Sequence, residues 1–370
     1  MKIGILTFHY AINHGAVLQA YATQELLRSM GHEVEVIDYH NRAVDAYYEA
    51  MRFHLGVLLK KRKKRYLLSP ILFWLQCRAF KKFIDSHLSV SARKYVQGQR
   101  PKQIPDYDLI LVGSDQLWNL KITGGFDDWY WGVIPEKSKG GTRKIATWAV
   151  CMNDTEQVRN ETTRIAKLLE NFSALSERES NLMEAIAPLT EKNVVQTLDP
   201  TLLLPAEKWK SLCKKPPTGN YVVAYAIEFW DKRKVAKVAA RLAAQKNMRL
   251  VLLRVYAETG SLWDALHGCG PDDFLTYLYA ASYVVTSSFH GTAFSIIFKK
   301  QFFCVIDPEK GNTRVENLLQ QTGLENQKIG YEEKFENIVT IDYEASQTDS
   351  RLAAYREKSI GFIEQLTQKA

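Results

Sequence analysis

The sequence predicts an α/β protein in which parallel sheets are covered by helices on both faces. Short apolar segments of strand length alternate with amphipathic helical segments along nearly the whole chain. The 370 residues are more than twice the length of a typical domain of about 150 residues, so two domains are expected. Hydrophobic residues make up 46% and charged residues 24% of the chain, which excludes disordered, collagen-like and repeat-dominated proteins.

The first strand–helix–strand unit is the clearest part of this pattern. A buried strand at 2–8 leads into a helix at 15–30, which Gly31 ends, and a second strand follows at 33–38. Later strands are predicted at 108–112, 144–149, 171–176, 221–227, 249–254, 283–286 and 302–306. Helices are predicted at 154–170, 178–187, 231–246, 272–281, 291–299 and 313–321. Ligands of such a protein are expected beyond the carboxyl ends of the strands.

Prolines mark the expected boundary between two domains, because four of them lie within 200–217. We predict an N-terminal domain at 1–204 and a C-terminal domain at 205–343. A final amphipathic helix within 344–370 is expected to pack back on the N-terminal domain.

Residues 41–100 interrupt the alternation. Six consecutive basic residues at 60–65 precede an apolar and aromatic stretch that reaches residue 84. One hypothesis is a helical hairpin with a solvated basic face. The other is contact of 60–84 with a membrane surface. We expect no nucleic acid partner despite the net charge of +8, because no nucleic-acid-binding motif accompanies that charge.

Cysteine usage and the N-terminal residues favour a cytoplasmic protein. The five cysteines are scattered and never in CxxC spacing, so reduced thiols and no metal site are expected. No secretory signal is predicted, and the apolar runs fall short of the roughly 20 residues that a membrane span needs.

The strongest local signal surrounds His290, where a predicted strand ends and a helix begins. Ser287 and Ser288 precede this histidine, and Gly291 follows it. A helix N-terminus binds phosphate or carboxylate through its unpaired backbone N–H groups, and a histidine there adds a proton or a hydrogen bond. The alternative is a histidine that only caps the helix.

Two other segments follow predicted strands. Arg178 comes directly after one strand end, where a guanidinium suits a carboxylate or a phosphate; the alternative is an ion pair with Glu177 or another neighbour. Asn13 and Gly15 join the first strand to the first helix, and the glycine allows a ligand to approach the backbone closely.

A third strand end carries groups that suit a sugar. Asp115, Gln116 and Asn119 offer polar edges for hydroxyls, and Trp118 offers an aromatic face for stacking. The alternative is a loop in which the aspartate caps a turn.

Six blocks of sequence together resemble the polysaccharide pyruvyl transferase family. They are NHGAVLQAYA (13–22), VGSDQLWN (112–119), LSERE (175–179), LDPTLLL (198–204), GPDDFLTYLYAASYVVT (270–286) and SSFHGTAFSI (287–296), which occur in family order. Members often carry arginine two residues before the histidine, where this chain has Ser288. Arg254 and Arg314 are candidates to supply that charge.

The resemblance implies two Rossmann-like domains with parallel sheets, in a GT-B-like arrangement around a central cleft. The N-terminal domain would take the acceptor and the C-terminal domain the donor. It also implies transfer of pyruvyl from phosphoenolpyruvate to a hexose as a cyclic ketal, in the biosynthesis of capsule or exopolysaccharide. Galactose on a polyprenyl-diphosphate-linked saccharide is the candidate acceptor, and no cofactor or metal is expected.

The resemblance also suggests roles for the residues named above. His290 is expected to protonate the methylene carbon of the donor or to assist phosphate departure, and Arg178 to bind the donor's carboxylate or phosphate. Asp115 is expected to contact an acceptor hydroxyl or to act as a base. Other donor-side residues are Ser287, Ser288, Gly291, Arg254 and Arg314, and the acceptor-side residues are Asn13, Gly15, Gln116, Trp118 and Asn119.

Two functions of other classes stay open at this point. A GT-B-like glycosyltransferase that uses a nucleotide sugar would share the architecture and the anion-binding turns. A non-enzymatic protein that binds membranes or nucleic acid through its charge would not need His290.

Overall fold

The computed structural model of the protein contains two parallel sheets, each flanked by helices. The structure describes residues 1–50, 69–99, 101–135, 143–227, 229–253, 270–307, 309, 312–332, 341–343 and 347–368. The basic run at 60–65, Arg254 and Cys269 therefore lie outside the described residues.

The first half of the chain builds a six-stranded sheet in the order β2-β1-β5-β6-β7-β8. Its strands, with the short pair β3 and β4 beside them, are β1 (Lys2–Leu6), β2 (Glu33–Val36), β3 (Tyr39–His40), β4 (Tyr95–Val96), β5 (Leu109–Asp115), β6 (Lys144–Val150), β7 (Leu175–Glu177) and β8 (Val194–Gln196). Ile5 pairs with Val36 on one side and Leu111 on the other. Such central strands are continuously apolar because both sheet faces are covered.

The second half builds a five-stranded parallel sheet in the order β10-β9-β11-β12-β13. Its strands are β9 (Tyr221–Tyr225), β10 (Arg249–Leu253), β11 (Tyr283–Thr286), β12 (Gln301–Val305) and β13 (Lys328–Ile329).

Helices connect most of these strands and cover the sheets. They are α1 (His14–Ser29), α2 (Ser69–His87), α3 (Leu120–Thr123), α4 (Glu156–Asn160), α5 (Thr162–Leu169), α6 (Ser180–Ile186), α7 (Ala206–Lys210), α8 (Phe229–Gln245), α9 (Pro271–Ala280), α10 (Phe289–Ile297), α11 (Thr313–Thr322) and α12 (Thr348–Thr367). Residues 42–50 are also helical.

The structure differs from the sequence prediction mainly at short elements. Strands β3, β4, β8 and β13 have only two or three residues each, too few for a periodic signal. The predicted strand at 171–176 begins only at Leu175. The N–H groups of Asn171 and Phe172 still donate to carbonyls at the end of α5, which holds these two residues in a helix-terminal turn.

Helix α12 contacts both halves of the chain. Ser359 accepts a hydrogen bond from the Leu198 N–H at 2.9 Å, and the Arg356 Nε donates to the Leu202 carbonyl at 2.7 Å. At its start, the Thr348 hydroxyl donates to the carbonyl of Thr322 in the second half at 3.1 Å.

The carboxyl ends of the two sheets face each other. Gly15, beyond β1, lies against His290, beyond β11. This arrangement confirms the predicted α/β class with two Rossmann-like, parallel-sheet units in a GT-B-like relationship. None of the four described cysteines forms a disulfide. Within the described ranges, every helix is too short or too polar to traverse a lipid bilayer.

Candidate active site

His290 occupies the second position of α10. The Ser288 side chain caps this helix by accepting a hydrogen bond from the Gly291 N–H at 3.4 Å. The imidazole is buried and packs directly on Gly15 at the start of α1. A Cβ atom at residue 15 would lie 1.9 Å from His290 Nδ1. The close approach predicted at Gly15 is therefore made by a histidine of the other half.

His14 strengthens this junction between the halves. Its ring stacks on Phe274 with centroids 4.9 Å apart, and its Nδ1 lies 3.3 Å from the hydroxyl of Tyr225. Burial lowers the pKa of His14 to about 3, so the ring is neutral. No local sequence signal predicts a role for His14, since its partners come from the second half of the chain.

Asp199 lies at the centre of the cluster and is also absent from the predicted site. Its Oδ2 accepts a hydrogen bond from Arg178 Nη1 at 2.8 Å and lies 3.5 Å from His290 Nε2. Its Oδ1 accepts two hydrogen bonds from Thr201. Burial alone would raise the pKa of Asp199, but His290, Arg178 and Thr201 outweigh burial and hold it below its ordinary value.

A sequence signal for Asp199 exists in the block LDPTLLL. The carboxylate follows β8 by three residues and stands immediately before Pro200. Because β8 has only three residues, the sequence pattern did not reveal that this aspartate follows a strand end.

Arg178 is buried and already engaged by two carboxylates. Its Nε donates to Glu179 at 2.7 Å and its Nη1 to Asp199, while the guanidinium lies 4.3 Å from the centroid of the Phe289 ring. Its Nη2 is buried without a hydrogen-bond partner in the part of the chain that the structure describes. Of the guanidinium nitrogens, Nη2 is therefore the one that the described residues leave available to a ligand.

Two other acidic groups near Arg178, Glu177 and Cys151, are held in their uncharged forms. Burial, followed by the charge of Glu179, raises the pKa of Glu177 well above its ordinary value. Burial and Glu179 also raise the pKa of the Cys151 thiol. Burial would lower the pKa of Arg178, but the surrounding acidic groups, Glu179 first, raise it well above its ordinary value. Arg178 is therefore a permanent cation.

Arg314 brings a second guanidinium to this region. It is the second residue of α11, and its charge acts on Cys151 alongside that of Arg178. Hydrogen bonds from the Ser180 N–H and hydroxyl to Asn317 Oδ1 tie α11 to α6, which follows Arg178. The Arg314 Nε is buried and has no hydrogen-bond partner among the described residues. Arg254, the other candidate cation, lies outside them.

The serines before His290 hold the backbone of the turn. The Ser287 carbonyl accepts a hydrogen bond from the Asn312 side chain at 2.9 Å. The Ser288 N–H donates to the Thr286 hydroxyl at 3.0 Å. At Gly291 a Cβ would lie 2.3 Å from that same hydroxyl oxygen, so this position requires a residue without a side chain.

The predicted acceptor residues differ in their structural roles. Asp115 ends β5 with a φ of 71°, and its charge acts on Arg178. Asn13 caps α1 by accepting from the N–H groups of Gly15 and Ala16. Asn119 caps α3, and its side-chain amide also donates to Gln116 at 2.8 Å.

The prediction that Trp118 offers an aromatic face to a sugar is wrong. It is fully buried, stacks on Trp131 with ring centroids 4.3 Å apart, and donates its indole N–H to the Tyr130 carbonyl at 2.8 Å. The ring is therefore part of the core, because an aromatic cluster covers it, and it offers no face to a sugar.

Comparisons with solved structures find distant similarity over nearly the whole chain. The UDP-GlcNAc 2-epimerase of Methanocaldococcus jannaschii is 10% identical, with 99% of each chain covered and a TM-score of 0.46. The UDP-GlcNAc 2-epimerase of Neisseria meningitidis, bound to UDP-GlcNAc, is 12% identical with full coverage of both chains and a TM-score of 0.45. The E. coli heptosyltransferase WaaC with ADP is 11% identical, covers 98% of this chain and 100% of its own, and has a TM-score of 0.39.

Similarity this distant carries no information about the reaction of this chain. No curated protein matches it. The family described as polysaccharide pyruvyl transferase does match, over residues 13–307, a range that includes Gly15, Arg178, Asp199 and His290. Since this match spans well over half of the sequence, the protein belongs to the polysaccharide pyruvyl transferase family.

Proposed function

We propose that this protein transfers the pyruvyl group of phosphoenolpyruvate to two hydroxyls of a saccharide. The observation that carries the proposal is the convergence of His290 and Arg178 on the buried carboxylate of Asp199. His290 Nε2 and Arg178 Nη2 each lack a hydrogen-bond partner within the described ranges. Two buried nitrogens left available beside one carboxylate suit a ligand that is itself anionic.

The donor would be held by cations and by helix N-termini. Phosphoenolpyruvate carries a phosphate and a carboxylate, and both α10 and α1 begin at this junction. Arg178 Nη2 would donate one charge-assisted hydrogen bond, and Arg314 would supply the charge that relatives place at the position of Ser288.

The chemistry would begin with a proton on His290 Nε2. Transfer of this proton to the methylene carbon makes the adjacent carbon electrophilic, and a saccharide hydroxyl adds there and loses its own proton. A second hydroxyl then attacks the same carbon and the bond from that carbon to the phosphate oxygen breaks. Inorganic phosphate leaves with the proton of this hydroxyl, and the ketal closes. Asp199, 3.5 Å from Nε2, would stabilise the protonated imidazole before transfer. Asp115 is the proposed base for the acceptor hydroxyl.

Access to this site requires movement. The side chains of Arg178, Asp199 and His290 are at most 5% exposed. We therefore propose that the two halves separate to admit the donor and close again around it, which would also exclude water from the reactive intermediate.

The acceptor is proposed to be a hexose, with galactose on a polyprenyl-diphosphate-linked saccharide as the first candidate. A membrane-facing acceptor is supported by α2, which exposes Ile71 and Trp74 to solvent and carries Arg78 beside the Trp74 ring. Cosedimentation with acidic phospholipid vesicles tests this part of the proposal. If a variant in which residues 60–65 are neutralised binds these vesicles as well as the wild type does, the proposal of a membrane-facing acceptor is ruled out.

The decisive experiment supplies phosphoenolpyruvate and galactose-containing saccharides, and follows both phosphate release and addition of a pyruvyl ketal by mass spectrometry. We expect His290→Ala to lower kcat/KM by a factor of about 10² to 10⁴, the usual contribution of a general acid. His32→Ala, in the turn before β2, is the matched control and should retain activity. Nucleotide release from a nucleotide sugar, without phosphate release from phosphoenolpyruvate, would instead establish a glycosyltransferase.

A further inference from the structure

A second polar cluster lies in the first half of the chain, apart from the residues described above. His9 follows β1, Asp38 follows β2, and His40 ends β3. The Nε2 atoms of His9 and His40 lie 3.2 and 3.1 Å from the same Asp38 oxygen, Oδ1. All three atoms lie within 4.8 Å of one another. The three side chains also line one wall of a cavity of about 1090 Å³.

The hydrogen bonds at the other ring nitrogens determine which atoms carry protons. His9 Nδ1 lies 3.3 Å from the Thr7 carbonyl, which can only accept. His40 Nδ1 lies 3.0 and 3.2 Å from the two carboxylate oxygens of Asp45, which also accept. Both Nδ1 atoms are therefore N–H donors. In neutral imidazoles, the two Nε2 atoms then present lone pairs, and both point at a carboxylate oxygen.

Three electron-pair donors facing one another require a positive centre between them. A metal ion supplies it directly and can be bound by all three donor atoms at once. The three side chains are between 2% and 22% exposed, so a bound ion would be partly shielded from bulk solvent.

The two rings are also held rigidly. His40 stacks on Tyr10 with ring centroids 3.7 Å apart and planes 15° from parallel. The ring of His9 meets the same tyrosine edge-on at 5.3 Å. A carboxylate or carbonyl that accepts the distal N–H of a histidine is the usual support of a metal-binding imidazole, and here Asp45 and Thr7 provide it.

We propose that His9, Asp38 and His40 bind a divalent transition-metal ion through two imidazole Nε2 atoms and one carboxylate oxygen. Tetrahedral zinc, with bonds of about 2.0–2.1 Å, places its ligand atoms roughly 3.3 Å apart. The observed separations of 3.2 and 3.1 Å from Asp38 are compatible with that geometry, and all three donor atoms lie within 4.8 Å of one another. Because the three side chains line a cavity, water is the expected fourth ligand.

This site differs from the expectation of no metal drawn from the sequence. Its three ligands come from separate strand ends, and CxxC or HExxH spacing is not involved. Metal binding here is independent of the proposed pyruvyl transfer, since neither His290 nor Arg178 belongs to the cluster.

The proposal is tested by calorimetry with ZnCl₂ on the untagged full chain, from which a chelator has first removed any bound metal. Elemental analysis then counts the metal ions bound per chain. We expect one ion per chain. His40→Ala should weaken binding at least 100-fold, and Asp45→Asn, which leaves all three ligands in place, by about 10–100-fold. His32→Ala is the control for a surface histidine and should bind zinc like the wild type.

Three results would overturn the proposal. One is a wild-type protein that binds no zinc. Another is unchanged affinity in both His40→Ala and Asp45→Asn, with thermal melting used to confirm that each variant is folded. The third is a nitrogen NMR spectrum, at saturating zinc, in which His9 and His40 both keep protonated Nε2 atoms.

Discussion

The imidazole of His290 rests on the backbone of Gly15, so closely that a Cβ at residue 15 would fall 1.9 Å from Nδ1. This contact joins the N-terminus of α1 in the first half to the N-terminus of α10 in the second. The orientation of the candidate general acid therefore depends on a residue from the opposite half of the chain. Displacing one half relative to the other would also move this imidazole.

Gly15→Ala should impair activity far more than it impairs folding. The added methyl group would displace the His290 ring, and a shift of about 1 Å in a reacting group costs on the order of 10²-fold in rate. Steady-state kinetics and thermal melting measure the two effects. Gly361→Ala, in α12 where a Cβ meets nothing within 4 Å, is the control and should leave activity unchanged. Wild-type kcat/KM in Gly15→Ala would show that the ring is not held by this contact.

Asp199→Asn should destabilise the protein by about 3 kcal/mol, because it leaves Arg178 buried without one of its two carboxylates. Urea unfolding at pH 7 measures this loss. Asp349→Asn removes the exposed ion pair with Lys299 and should change the unfolding free energy by less than about 1 kcal/mol. Equal effects of the two substitutions would contradict the structural importance of Asp199.

The Asp199→Asn variant should also change how the unfolding free energy depends on pH in acid. The pKa of Asp199 is depressed in the folded protein, although burial opposes the depression. Its stabilising contribution is therefore complete above the ordinary aspartate pKa of about 4 and is lost as pH falls through the lower folded value. The difference in unfolding free energy between wild type and Asp199→Asn should narrow below pH 4. A difference that stays constant down to pH 3 would argue against a depressed pKa.

His14 should make the protein less stable as pH falls below neutrality. Burial lowers its folded pKa to about 3, whereas the unfolded chain binds a proton near pH 6.5. Between these values the unfolding free energy should fall by about 1.4 kcal/mol per pH unit on account of this group. His14→Gln removes this dependence, so urea unfolding at pH 7.5, 6 and 5 should show a shallower slope for the variant. Parallel slopes would mean that His14 titrates normally.

Arg314→Ala should weaken phosphoenolpyruvate binding about tenfold, the effect of losing one charge-assisted hydrogen bond. The basis is its position near Cys151 and Arg178 and its partnerless Nε among the described residues. Calorimetric titration with phosphoenolpyruvate measures the change, and Arg314→Lys should recover part of it. Arg351→Ala, an exposed arginine on α12, is the control. If Arg314→Ala binds phosphoenolpyruvate with unaltered affinity, Arg314 does not replace the cation that is missing at Ser288.

Local sequence patterns predicted much of the fold, including the turn from strand to helix that carries His290. The strand that ends at Thr286, the cap at Ser288 and the helix that carries His290 all depend on residues close together in the chain. The same holds for Asn13 and the start of α1. Capping and strand length are decided by neighbouring residues, so a single sequence is enough to detect them.

Other parts of the site had no local signal. Trp118 has the composition of a sugar-stacking residue, but the fold encloses it beside Trp131. Asp199 follows a strand of three residues, and its ion pair with Arg178 exists only because β7 and β8 are neighbours in the sheet. The pairing of strands determines which loop residues come into contact, and no short segment of sequence predicts that pairing.

Periodicity and short motifs were enough to predict the α/β class, the strand–helix units and the family, because each of these depends on residues close together in the chain. Only folding brings His290 onto Gly15 and next to Asp199 and Arg178, and His9 and His40 to one oxygen of Asp38. The physical reason is that such contacts join chain segments far apart in sequence. Their distances follow from sheet order and from the packing of the two halves.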